Sequence, residues 1–127
     1  MKISELPWSF PEPRPHYPEL YVTGVGQDGD LAERLISEGV SIVFSALPDS
    51  PASQIEEDLA MSGLVVISHS TIHRHSEKVP LIVPEVNNGH LKLTDSQTEY
   101  EGGMLVSCSN CMVVPLAISL APLIRSL

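Results

Sequence analysis

A chain of 127 residues has room for one domain built on one core. Its 16 acidic and 7 basic residues give a net charge of −9 with no basic stripe, which excludes nucleic acid and anionic membrane surfaces as partners but not a small anion held by backbone N–H groups. With 43% apolar and only 5% aromatic residues, the composition suits an aliphatic α/β domain better than an aromatic-rich β-sandwich.

The first eight residues are mixed and lack the apolar stretch of a signal peptide. Residues 1–20 carry Pro7, Pro11, Pro13, Pro15 and Pro18. Each proline fixes its own φ and steers its predecessor away from helix, so this stretch reads as an extended arm. Leu20 to Thr23 reads as a short strand. Gly24-Val25-Gly26-Gln27-Asp28-Gly29 follows and matches G-x-G-x-x-G. Asp30 to Glu38 reads as a helix, with Asp30 as cap, Leu31, Leu35 and Ile36 as its apolar side, and Gly39 as its stop. Val40 to Leu47 reads as an apolar strand. Strand, glycines, helix and strand is the order of a dinucleotide fingerprint, and Asp49 stands about 20 positions on, where an acidic residue belongs. A plain connecting loop is the competing reading, because the first strand is so short.

Ser45-Ala46-Leu47-Pro48 puts small residues at a strand's carboxyl end, the edge where open α/β sheets bind ligands. Asp49-Ser50-Pro51 opens the next helix, with Asp49 or Ser50 as its cap. Ala52 to Met61 sets Ile55, Leu59 and Ala60 on one face and Glu56, Glu57 and Asp58 on the other; Ser62-Gly63 ends it. Leu64 to Ile67 is the next strand, followed by Ser68-His69-Ser70-Thr71. Both strands are apolar on all sides, which predicts parallel strands covered on both faces and joined by a right-handed crossover. Ile72 to Lys78 reads as a solvated loop. Val79 to Asn87, interrupted by Pro80 and Pro84, reads as a loop or edge segment. Asn88-Gly89-His90 turns the chain, and Leu91 to Tyr100 reads as a surface connection.

Met104-Leu105-Val106 reads as a buried strand and Met112 to Ile124 as a helix, with Ser107-Cys108-Ser109-Asn110-Cys111 at their junction. A cysteine there meets unpaired helix N–H groups and the positive end of the dipole, which favour a thiolate. A buried structural cysteine is the alternative. Cys108 and Cys111 also have C-x-x-C spacing, which is compatible with half a zinc site, a redox pair, or one catalytic and one incidental thiol. A zinc site lacks a second C-x-x-C and would have to draw on His69, His73, His75 and His90. Two reduced thiols point to the cytoplasm. The run from Met104 to Ile124 is broken by polar residues and by Pro115 and Pro122, so it does not read as a membrane span.

Several segments stand in one order and spacing: Val43 to Pro48, Ile55-Glu56-Glu57, Ser68, His73-Arg74, Val79-Pro80-Leu81, Val83 to Asn87, and Ser109-Asn110-Cys111. Together they resemble the aspartate-semialdehyde dehydrogenase family, in its archaeal and fungal branch. The likeness is strong over residues 40–125 and extends weakly back to Trp8 through Pro11-Glu12-Pro13. It implies an α/β fold, a partial Rossmann-like, mostly parallel open sheet that lacks its first βα unit and ends in the nucleophile-bearing helix. Residues 1–20 would be a Pro-rich arm and residues 21–127 a partial NAD(P)-binding domain. The resemblance further implies NADPH-dependent reduction of aspartyl phosphate to aspartate semialdehyde through a cysteine thioester, on the route to lysine, threonine and methionine. Cys111 matches the nucleophile and Asn110 the residue lining the acyl site. Ser45, Ala46, Leu47 and Ser68 match segments that border NADP. No metal is implied, and a homo-oligomer is one expected assembly.

The sequence departs from this family in places. Gly24 to Gly29 aligns ahead of the helix before Ser45, not with the family's phosphate loop. His69 stands where asparagine is usual. No histidine follows Cys111, and Arg125 is the sole basic residue beyond it. Pro115 falls early in the helix, where its ring would crowd the preceding turn. These departures predict that the isolated chain does not turn over. The alternatives are a piece of a related malonyl-CoA reductase, or a non-catalytic module that docks a partner through a bare sheet edge.

Overall fold

The computed structural model describes residues 2–14, 21–25 and 31–126. Its elements are α1 (Leu31–Ser37), β1 (Ile42–Ser45), α2 (Asp49–Met61), β2 (Val65–Ser68), β3 (Leu81–Ile82), α3 (Pro84–Asn87), a 3-10 stretch (Asn88–Ser96), β4 (Met104–Cys108) and α4 (Val113–Arg125). The four strands form one sheet in the order β1-β2-β4-β3, and every pairing is parallel. The α/β, Rossmann-like reading therefore holds.

Alternation along the strands decides what is buried. Val43, Val66 and Leu105 sit level across three strands and point to one face. There Val66 and Leu105 join Leu59, Ala60, Leu64 and Val79 in the core, with Val43 packed at its margin. The other face is less covered. Ile42 is 52% and Phe44 80% exposed on β1, an edge strand. The expectation that both strands are covered on both faces fails for β1, because a wholly apolar run does not report whether a layer lies over each side.

α1 and α2 end in the same way. Gly39 and Gly63 take φ of +79° and +90°, and the next residue's N–H reaches back to a carbonyl of the helix, Val40 to Leu35 and Leu64 to Leu59. This closure needs a residue that tolerates left-handed backbone. It also shortens β1: Val40 is engaged in ending α1, so the strand starts at Ile42 and not at Val40. Gly103 serves packing instead. A Cβ there would lie 2.1 Å from the Ala60 carbonyl oxygen.

Other expectations need correction. Tyr21 makes a lone antiparallel bridge to Lys2, and no strand covers Tyr21 to Thr23. Leu20, Gly26, Gly29 and Asp30, with Pro15 and Pro18, lie outside the described residues. The arm is not simply extended: Ile3–Glu5 is a 3-10 turn, and Trp8 Nε1 donates to the Glu12 carbonyl at 2.8 Å. Ile36 is exposed rather than packed. Asn88–Ser96 is a 3-10 stretch rather than a turn and a plain connection. β3 is an edge strand, as the prolines suggested, but Pro84–Asn87 is helical, with Pro84 at its start where a missing N–H is harmless. β4 runs on through Ser107 and Cys108.

β3 covers β4 only at Ser107 and Cys108. Beside Leu105 the buried side chain of Gln97 takes the place of a strand. Its Oε1 accepts the Leu105 N–H at 3.1 Å, and its Nε2 donates to the carbonyls of Leu105 and Lys78 at 2.8 and 3.0 Å. In α4, Pro115 falls in the first turn, where no intrahelical N–H is lost, and Pro122 is the proline inside the helix. α4 lies against α3, and Leu116, Leu123 and Ile124 are exposed.

Candidate active site

β4 delivers the chain to its carboxyl end at Cys108, and α4 begins at Val113. Between them Asn110 organises the turn. Its carbonyl accepts the N–H groups of Val113 and Val114 at 2.9 and 3.0 Å, and its Oδ1 accepts the Met112 N–H at 2.8 Å. Asn110 thus closes the turn ahead of α4 with both its backbone carbonyl and its side chain. Cys111 sits inside this turn and is exposed, two residues ahead of the helix rather than on it. The N–H groups expected to be unpaired at this helix start are taken by Asn110. What the fold gives Cys111 is an open thiol on a constrained turn.

The other predicted site residues stand at the same edge. Ser45 and Ser68 end their strands level with Ser107, the penultimate residue of β4, and all three are buried. The Ser68 hydroxyl accepts the Ser70 N–H at 3.1 Å. The Ser45 hydroxyl takes the Leu47 N–H at 3.5 Å. Ala46 is exposed and Leu47 half-buried, and with Ser45 they line a cleft of about 360 Å³ whose other walls include Val43, Leu35 and Ile55. Small residues and apolar walls at the carboxyl edge of a parallel sheet fit part of a dinucleotide. In strand order, Ser68 lies between the Ser45–Leu47 segment and the Asn110–Cys111 turn.

Asp49 proves to be a tie and not a helix cap. Pro48 precedes α2, and no side chain caps it. The Asp49 carboxylate instead receives the Ser70 hydroxyl at 2.6 Å, the Thr71 N–H at 2.9 Å and the Thr71 hydroxyl. These bonds, that of Ser70 first, hold its carboxyl down at about 2.

The loop after β2 is not merely solvated. His73 is buried, and its Nε2 lies 3.0 Å from Oε2 of the buried Glu56. Glu56 is therefore not on the polar side of α2, as its charge suggests, but in the core. The signal for burial was present: Ala52, Glu56, Leu59 and Ala60 follow the spacing of one helical face. Arg74 then donates from Nε to the Cys108 carbonyl at 3.2 Å and from Nη2 to the His69 carbonyl at 3.0 Å. Among the described residues no group of three His, Cys, Asp or Glu could hold a metal ion.

Residues 16–94 match the family described as semialdehyde dehydrogenase, NAD binding domain. The chain is 44% identical over 84 residues to an aspartate-semialdehyde dehydrogenase of Archaeoglobus fulgidus, covering 65% of this chain and 24% of that protein. It is 37% identical over 93 residues to a malonyl CoA reductase (NADP) of Metallosphaera sedula, covering 72% and 26%. The structure of Candida albicans aspartate semialdehyde dehydrogenase with NADP superposes with a TM-score of 0.59 at 32% identity, over 67% of this chain and 26% of that one. The chain spans about a quarter of the length of the curated relatives it matches. With its parallel sheet and strand-edge cleft, this chain belongs to the semialdehyde dehydrogenase NAD-binding domain family.

Proposed function

We propose that the chain carries the nucleophile and part of the NADP-binding domain of an aspartate-semialdehyde dehydrogenase. The observation that carries this reading is the exposed Cys111 thiol on a turn closed by Asn110, at the sheet edge that also holds the Ser45–Leu47 cleft. As thiolate, Cys111 attacks the acyl carbon of aspartyl phosphate. A C–S bond forms, the C–O bond to phosphate breaks, and inorganic phosphate leaves. Since Asn110 Oδ1 is engaged with Met112, its Nδ2 is the donor available to the acyl oxygen. Ser45, Ala46, Leu47 and the strand end at Ser68 would hold NADP, with the contact at Ser68 falling on backbone because its hydroxyl is engaged. When bound, reduced NADP supplies the hydride that releases the aldehyde from sulfur. The two free thiols fit a cytoplasmic setting.

The chain is therefore expected to be acylated at Cys111 by aspartyl phosphate. Intact mass after incubation with aspartyl phosphate tests this. The expected result is one acyl adduct, located at Cys111 by peptide mapping and lost in Cys111→Ser. An adduct that persists in Cys111→Ser, or none at all, overturns the reading. The likeness to the Metallosphaera reductase supports a second reading, in which the same thiol takes an acyl group from a CoA thioester. Acylation by malonyl-CoA but not by aspartyl phosphate would select it.

A further inference from the structure

α2 carries a carboxylate into the core. Glu56 is fully buried, and His73, 3.0 Å away, has a side chain only 6% exposed. Beyond this contact, Glu56 Oε1 and the Ser107 hydroxyl on β4 are buried side-chain atoms without a hydrogen bond among the described residues. For stability alone, an apolar residue of similar volume often serves as well as a buried ion pair. Stability therefore does not explain the pair, whereas its neighbours in the chain suggest what it does.

Arg74 follows His73 directly, and its guanidinium bonds the carbonyls of Cys108 and His69. It straps the segment after β2 to the last residue of β4. Three residues beyond that point stands Cys111. His73 is thus anchored from below by Glu56, while Arg74 fixes where the Cys111 turn departs.

We propose that the Glu56–His73 pair, acting through the Arg74 strap, is a positioning device for Cys111. This rests on the reading of Cys111 as the nucleophile. The pair holds the His73–Arg74 turn in one place. A planar guanidinium in one place can serve two carbonyls at once, which an ammonium cannot do with the same geometry.

The test measures alkylation of Cys111 by iodoacetamide at fixed pH in the folded chain, resolved from Cys108 by peptide mass. Glu56→Leu, Glu56→Gln, Arg74→Ala and Arg74→Lys are compared with wild type, and far-UV circular dichroism and thermal melting confirm the fold. Glu56→Leu, Arg74→Ala and Arg74→Lys are expected to slow Cys111 alkylation by about fivefold while the fold is retained, as for members of one bonded network. Glu56→Gln keeps a group able to bond His73 and is expected to restore the wild-type rate. A purely space-filling role would let Leu serve as well as Gln. A wild-type rate in folded Glu56→Leu or in Arg74→Lys overturns the proposal. Should Glu56→Leu fail to fold, the half-exposed Arg74→Lys decides alone. The readout requires only that Cys111 be an exposed thiol, so a failed nucleophile reading shows separately, as a missing acyl adduct in wild type.

Discussion

Asp49 and Gln97 show how single side chains hold the segments around the sheet in place. Asp49 is bonded to Ser70 and Thr71, and its carboxyl titrates at about 2 against an ordinary 3.8. A folded-state value below the unfolded one means that the carboxylate stabilises the fold above pH 3.8 and that this support drains away as pH falls through about 2. Thermal melts of wild type and Asp49→Asn between neutral pH and pH 2 should therefore converge at the acid end, with the variant's curve flatter across that window. Gln97 makes three bonds from one buried amide. Gln97→Leu leaves the Leu105 N–H and carbonyl without partners and should cost about 1–3 kcal/mol, read from urea unfolding. Neither role was legible in the sequence. Asp49 stands where a cap is expected, and its partners arrive 21 and 22 residues later. Gln97 matters because β3 is too short to cover β4, a fact of tertiary pairing. Glu56 differs, because its helical spacing with Ala52 and Leu59 gave the answer and its charge argued against it.

Among the elements, α1, α2, β2 and β4 were legible because apolar runs and helix stops agree there. Their boundaries were less so. β1 is shorter than its apolar run, since Val40 is drawn into the end of α1. β4 is longer than its run, since the level of Ser107 and Cys108 is set by β2 and β3. The candidate site was legible to the same degree. The thiol and its Asn110 neighbour could be placed at a strand-to-helix junction, while the Arg74 strap depends on a contact 34 residues apart in the chain. The glycines separate two physical demands. Gly39→Ala meets open space but must adopt φ of +79°, a cost of about 1–2 kcal/mol. Gly103→Ala drives a Cβ to 2.1 Å from one backbone oxygen and 2.8 Å from another, so β4 must move off α2. Its loss of unfolding free energy, read from urea unfolding, should be the larger of the two, at about 3 kcal/mol or more, in the range of severe overpacking.

Across the molecule, burial is one-sided. The face bearing Val66 and Leu105 is closed by α2, whereas Ile42 and Phe44 on β1 and Leu116, Leu123 and Ile124 on α4 are exposed. Among the described residues no helix is long and apolar enough to cross a membrane. Apolar surface next to an unpaired strand edge favours self-association. Sedimentation velocity on the chain at two concentrations should therefore show a weight-average coefficient that rises with concentration, together with binding of an apolar-surface dye. Phe44 provides the control because it is 80% exposed, so Phe44→Ser removes apolar surface without opening a core cavity. The variant should keep its circular dichroism and melting temperature while dye binding and the concentration dependence both fall. If they stay at wild-type levels, β1 is not the contact and the exposed side of α4 is. Leu123→Ser, substituting the far turn of that helix away from Cys111, then becomes the variant expected to lower them.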